Sequence, residues 1–373
     1  HVQVEQGIKA HWLPVVHPQD GRRGSIRFKL LELSGDARDV AICHSQVYPT
    51  AAFGYPRGME DRLAQAVGPY AAGSSAQLRP SDPFWSTAVE EAAYEADWLV
   101  GAAEYLATAM DWRLFTTVYR PADAANHGCL AFMDPDLPFY GGADTEGATE
   151  ILASAYGCVD RAIGRLMAMA DGRTVIALAS DHGAVVNHVT CDIYNLLVEQ
   201  GLLALERDER GGYAVDWSRT KAYIRPTRSG SEVFVNLAGR EPKGIVAPSE
   251  HEEVQRRIVE ILLDWKEAQA GRRAVALALA KRDSALLGYW GEDAGDVQFI
   301  YNEGFVWGEV PPRQTIARTT IPSVNHGPQI PTAEKGLATN MGMLALWGPG
   351  IRPGYRREHE LVGRLDLEVA HPH

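Results

Sequence analysis

Residues 174–180 (TVIALAS) form a nearly continuous apolar run that ends directly in Asp181-His182-Gly183. Such a run reads as a buried strand. A long amphipathic helix precedes it, predicted from about Thr145 to Asp171 and closed by Asp171-Gly172. Before that helix lies a β-branched and aromatic run, RLFTTVY (113–119), which reads as a second buried strand. Strand, helix, strand at this spacing predicts an α/β fold whose mainly parallel sheet is flanked by helices. In sheets of that kind functional groups gather outside the carboxyl ends of the strands. Both runs exit into Asp and His residues.

The remaining chain fits around that core. Residues 26–48 predict two strands joined by a turn at Ser34-Gly35-Asp36, and a Gly/Pro-containing stretch follows to about Phe84. Apolar residues at helical spacing predict a helix from about Ser86 to Met110. From about Cys191 to Arg318 the pattern changes to short strand-like pieces and a charged helix, SEHEEVQRRIVEILLDWKEA. This predicts an α+β cap at 191–318, inserted into a core made of 1–190 and 319–373. The chain returns to the core through Asn325-His326-Gly327 and the strand MGMLALWG (341–348).

Three short motifs carry the chemistry. Asp123 and His127, in YRPADAANH, are four apart, so one helical turn puts both on one face. Asp181 and His182 follow a strand, and Gly183 permits a tight turn or a close backbone approach. His326 sits in a turn-prone loop before a core strand. Each motif alone has a structural explanation, such as a capping Asp or a hydrogen-bonded His. Together, on these strands, they predict a shared site of carboxylate and imidazole ligands suited to two divalent metals and phosphoryl chemistry. The other histidines read as surface or packing residues, and His188, near the SDHG motif, is expected to face solvent.

Composition limits the partners. A formal net charge of −12 and the lack of a long basic tract argue against a nucleic-acid scaffold. Four cysteines without CxxC spacing read as reduced and buried, which points to the cytoplasm. No apolar run reaches membrane-spanning length, and the opening residues lack a signal-peptide pattern. Nothing in the sequence sets an oligomeric state.

At SDHG, YRPADAANH and VNHGPQIPTAEKGLATNMGMLALWGPGIRPGY the chain resembles the type I phosphodiesterase/nucleotide pyrophosphatase branch of the alkaline phosphatase superfamily. Ala122 stands where proline commonly precedes the aspartate of that family. The resemblance runs from about 110 to 200 and from 320 to 365. It implies one zinc on Asp123, His127 and His326, and a second on Asp181 and His182. It implies a small-molecule phosphate ester as substrate, with manganese as an alternative metal. The family adds an upstream aspartate and a Thr or Ser nucleophile, and neither stands before residue 110 in the expected way. Thr50, in SQVYPTAAFGYP, is the one visible hydroxyl in a comparable place. The resemblance therefore implies that a segment carrying the first strand and the nucleophile lies outside this sequence, and that LVGRLDLEVAHPH is the cut end of a helix entry. A phosphomutase, a phosphonate hydrolase and a catalytically silent metal-binding homologue are the competing expectations.

Overall fold

The computed structural model describes residues 11–16, 23–36, 38–51, 53–73, 75–207, 211–225, 231–268, 270–285, 288–289, 291–327, 329–330, 333–335 and 338–355. The chain divides into two compact units: residues 1–125, 149–181 and 342–373 form the first, and 126–148 with 182–341 the second.

The first unit opens with an antiparallel sheet. Its strands are β1 (His11–Val16), β2 (Arg23–Leu33), β3 (Val40–His44) and β4 (Tyr48–Pro49), with β1, β3 and β4 all pairing β2. The β2–β3 turn falls at Ser34–Asp36, where the Ser34 hydroxyl accepts the Arg38 and Asp39 N–H groups. Helix α1 (Met59–Val67) packs on α2 (Trp85–Ala109) through Met59, Leu63 and Ala102. One face of α2 carries acids that are nearly inaccessible to water: Glu91 pairs with Arg27 at 3.2 Å, and Glu95 accepts the Tyr70 hydroxyl at 3.2 Å.

Helix α3 (Pro121–Cys129) and helix α4 (Gly142–Met169) follow in the chain. Arg165 of α4 is tied to Asp97 and Glu104 of α2. Strand β5 (Ile176–Ala179) then leads to the Asp181 turn.

The second unit holds the pieces between. It contains β6 (Val185–Val186), β7 (Val189–Cys191), α5 (Ile193–Glu199) and the hairpin β8 (Leu205–Arg207)–β9 (Tyr213–Val215). A four-stranded sheet follows in the order β10 (Ala222–Tyr223), β11 (Glu232–Val235), β13 (Val297–Tyr301), β12 (Val275–Ala280), with helix α6 (His251–Asp264) against it. Ile258 and Leu262 of α6 meet Val233, Val235, Phe299 and Tyr301 of the sheet in the largest apolar core described. At one end of that core Asp296 is sealed from solvent, accepting two hydrogen bonds from Arg240, one from the Val235 N–H and one from His251.

β14 (Phe305–Trp307) and β15 (Ile316–Arg318) flank β7. β16 (Val324–Asn325) pairs β6, and β17 (Glu334–Lys335) pairs β18 (Ala338–Thr339). The chain re-enters the first unit as β19 (Leu344–Trp347).

The fold is mixed α/β, but the mainly parallel sheet predicted from the sequence is not what the described strands form. β5 pairs β19 antiparallel, with Leu344 opposite Ala179 and Trp347 opposite Ile176. Among the described named strands only β7 and β14 are parallel partners. The run 113–119 joins no ladder, and Leu114 and Val118 are 82% and 75% exposed. The physical reason is that an apolar run specifies burial and leaves the pairing partner open. A parallel sheet needs a neighbour for each central strand, and 113–119 does not supply one for β5.

Candidate metal centre

The site is built on α3 and on two loops held together by the β6–β16 ladder. Proline opens α3, where its missing N–H costs nothing and its φ suits the first turn. Asp123 stands in the first turn, where the helix dipole favours negative charge, and His127 in the last, where it favours positive charge. Because α3 is one continuous helix, the turn that carries His127 also fixes Asp123.

The imidazoles converge. The rings of His182 and His326 stack with centroids 3.7 Å apart and planes 10° from parallel. His127 meets His326 edge-on at 5.1 Å. One ligand atom each from Asp123, His182 and His326 lies within 4.8 Å of the others. That is a spacing one cation can bridge.

Hydrogen bonds set which nitrogen each ring presents. His127 Nδ1 lies 2.9 Å from the Val324 carbonyl, and His182 Nδ1 lies 2.8 Å from the Gly183 carbonyl. A carbonyl only accepts, so Nδ1 is the donor in both hydrogen bonds. This is how metal-binding histidines are oriented, with the second nitrogen donating to a carbonyl or carboxylate. The donor set of imidazole nitrogen and carboxylate oxygen fits zinc and, less selectively, manganese.

Two backbone features hold the loops. A Cβ on Gly183 would stand 2.0 Å from the Thr339 carbonyl oxygen and 2.8 Å from that of Met341, so only glycine lets the turn close on 339–341. Its N–H donates to Asn340, and that of Ala184 to Thr339. On the other loop Asn325 Oδ1 accepts the N–H groups of His326 and Gly327, at 2.8 and 3.1 Å. In the β6–β16 ladder Asn325 stands opposite Val185, three residues beyond His182. Ala184, Val186, Val324 and Ala338 form the apolar floor beneath.

The remaining sequence-predicted residues fall as follows. Asp181 precedes His182 at the same turn and is outside the close group, as is His127. Thr50 follows β4, and its N–H closes onto the Arg23 carbonyl, so it belongs to the N-terminal sheet, which carries none of the clustered ligands. His188 departs from expectation: it is 6% exposed, not solvent-facing, and its Nε2 lies 2.8 Å from Asp134 Oδ2. A histidine two residues past a short apolar strand gives no sign of its partner, since Asp134 is far away in sequence.

The family model described as type I phosphodiesterase / nucleotide pyrophosphatase matches residues 37–329, a span that includes all three motifs. No curated protein and no solved structure matches the chain.

Proposed function

The chain belongs to the type I phosphodiesterase/nucleotide pyrophosphatase family of the alkaline phosphatase superfamily, and on that premise we propose that it is a metal-dependent hydrolase of phosphoric esters. The observation that carries this reading is the convergence of Asp123, His182 and His326. His127 stands beside that group with its Nδ1 proton committed to Val324.

In this reading zinc is the resident metal and a second divalent ion is shared with His127 and Asp181. A cation so held supplies Lewis-acid stabilisation of charge on phosphoryl oxygens. The residues of the chain do the rest of the ordering: Asn325 fixes the His326 loop, Gly183 lets the His182 turn seat, and α3 presents Asp123. The substrate is a small-molecule phosphodiester, pyrophosphate or phosphomonoester, and residues 191–318 act as the cap that selects it. The four buried thiols suit a reducing compartment. No described helix is long and apolar enough to cross a membrane.

The test is turnover of p-nitrophenyl phosphodiesters and monoesters by the zinc-loaded chain. Metal-dependent hydrolysis that disappears in His326→Ala and Asp123→Ala is the expected result. A chain that binds zinc and turns over none of these esters would overturn the hydrolase reading and leave a silent metal-binding homologue.

A further inference from the structure

The buried pair Asp134–His188 lies outside the ligand set, yet it ties together the two segments that carry most of it. From α3 the chain continues without interruption through a 3₁₀ turn, Leu130–Met133, to Asp134. From the His182 turn it continues through β6 and Asn187 to His188. Asp134 thus stands seven residues after His127, and His188 six after His182. Asp134 and His188 are 7% and 6% exposed and meet at 2.8 Å.

Each partner is itself immobilised. Asp134 Oδ1 accepts the Asp136 N–H at 2.9 Å, and its carbonyl accepts that of Leu137. The His188 N–H donates to Gly304, and its carbonyl accepts from Thr319. A carboxylate accepts, so Nε2 of His188 is the donor of the pair. Next to it Asn187, fully buried, donates to the Ser323 hydroxyl at 3.0 Å and accepts from Gln329 at 2.6 Å, which fixes both ends of the His326 loop. The circuit closes where His127 donates to Val324 of β16.

We propose that Asp134 and His188 are positioning residues of the metal centre: their buried hydrogen bond sets the placement of α3 against the His182 turn. This rests on the metal-site reading above and deepens it. Neither residue belongs to the candidate ligand group. Loss of the pair lets α3 and the His182 turn shift independently, and a shift of a fraction of an ångström is enough to spoil ligand geometry. Partners hydrogen-bonded directly to the ligands are generally worth about 10–100-fold in metal affinity, and this pair, one step further out, is set at the lower end.

The experiment measures zinc affinity of the full chain by chelator competition, the visible spectrum of the cobalt-substituted protein, and thermal stability. Asp134→Ala and His188→Leu should each weaken zinc binding about tenfold and alter the cobalt spectrum. The double variant should be no weaker than either single one, because the pair acts as a unit. Asp134→Asn, which keeps one acceptor oxygen for His188 and loses the one that takes the Asp136 N–H, should regain part of the affinity. Variants that lose thermal stability yet bind zinc with unchanged affinity and cobalt spectrum would overturn the proposal, since the pair would then serve only the fold. Where the truncations fail to fold, Asp134→Asn is compared with Asp134→Glu, which pushes the carboxylate out by one methylene. Stronger binding in the first than in the second supports the proposal, and equal affinity in both overturns it. A wild-type chain that binds no metal refutes the metal site itself. Equal binding by wild type and all variants refutes this inference alone.

Discussion

At His127 and His182 the position of one proton decides what the ring can do. Both rings give Nδ1–H to a backbone carbonyl. Asn325 holds the third ring by its loop backbone, and an aspartate there would keep the same acceptor. Gly183 is the least replaceable of these residues. Gly183→Ala should lower unfolding stability by about 1–3 kcal/mol, the usual cost of overpacking, and should also lower metal content; urea unfolding and elemental analysis read the two effects. Glu95 offers a pH test away from the site. Burial pushes its carboxyl up to about 7, against the lowering effect of Tyr70 and Arg120. Its ordinary value is 4.5, so the folded state holds the extra proton between 4.5 and about 7. Stability therefore falls as pH rises through that window, by up to about 3 kcal/mol. Glu95→Gln should flatten that part of the pH–stability curve, and a slope as steep as wild type would contradict the assignment. Asp123, His182 and His326, which the structure brings together, could be singled out from sequence because each sits in a short motif at a strand or helix end. Asp134 and His188 could not, because a buried pair is defined by two distant segments meeting.

Among the elements, those with local signals were legible and those with distant partners were not. The periodicity of 86–110 and 145–171 gives α2 and α4 to within a few residues, since helical hydrogen bonds are all local. The hairpin at Ser34–Asp36 was equally readable, its turn being fixed by a side chain within the turn. By contrast TVIALAS gives β5 its place but not its antiparallel partner, which comes from residues 344–347. RLFTTVY has strand composition and no ladder. In the four-stranded sheet of the second unit, burial alone would raise the Asp296 carboxyl. Hydrogen bonds from Arg240, the Val235 N–H and His251 instead hold it below its ordinary value. Arg240→Ala leaves that carboxylate buried with one cation fewer, and should cost about 3 kcal/mol, the lower end for breaking a buried pair. Chemical denaturation measures it; a loss under about 0.5 kcal/mol, the range of an ordinary surface substitution, would show that water replaces the guanidinium.

On the scale of the whole molecule, the family match over 37–329 spans the residues that the structure groups as candidate ligands. The match says which chemistry the family is described by, and Asp123, His182 and His326 form a candidate ligand group. The account stands or falls on metal at this place. Its most direct test is metal content per chain by elemental analysis after zinc loading and exhaustive dialysis, on wild type and on His326→Ala and Asp123→Ala. At least one tightly held zinc is expected in the wild type, and its loss in both variants. Metal-free wild type, or equal zinc in all three, would contradict it.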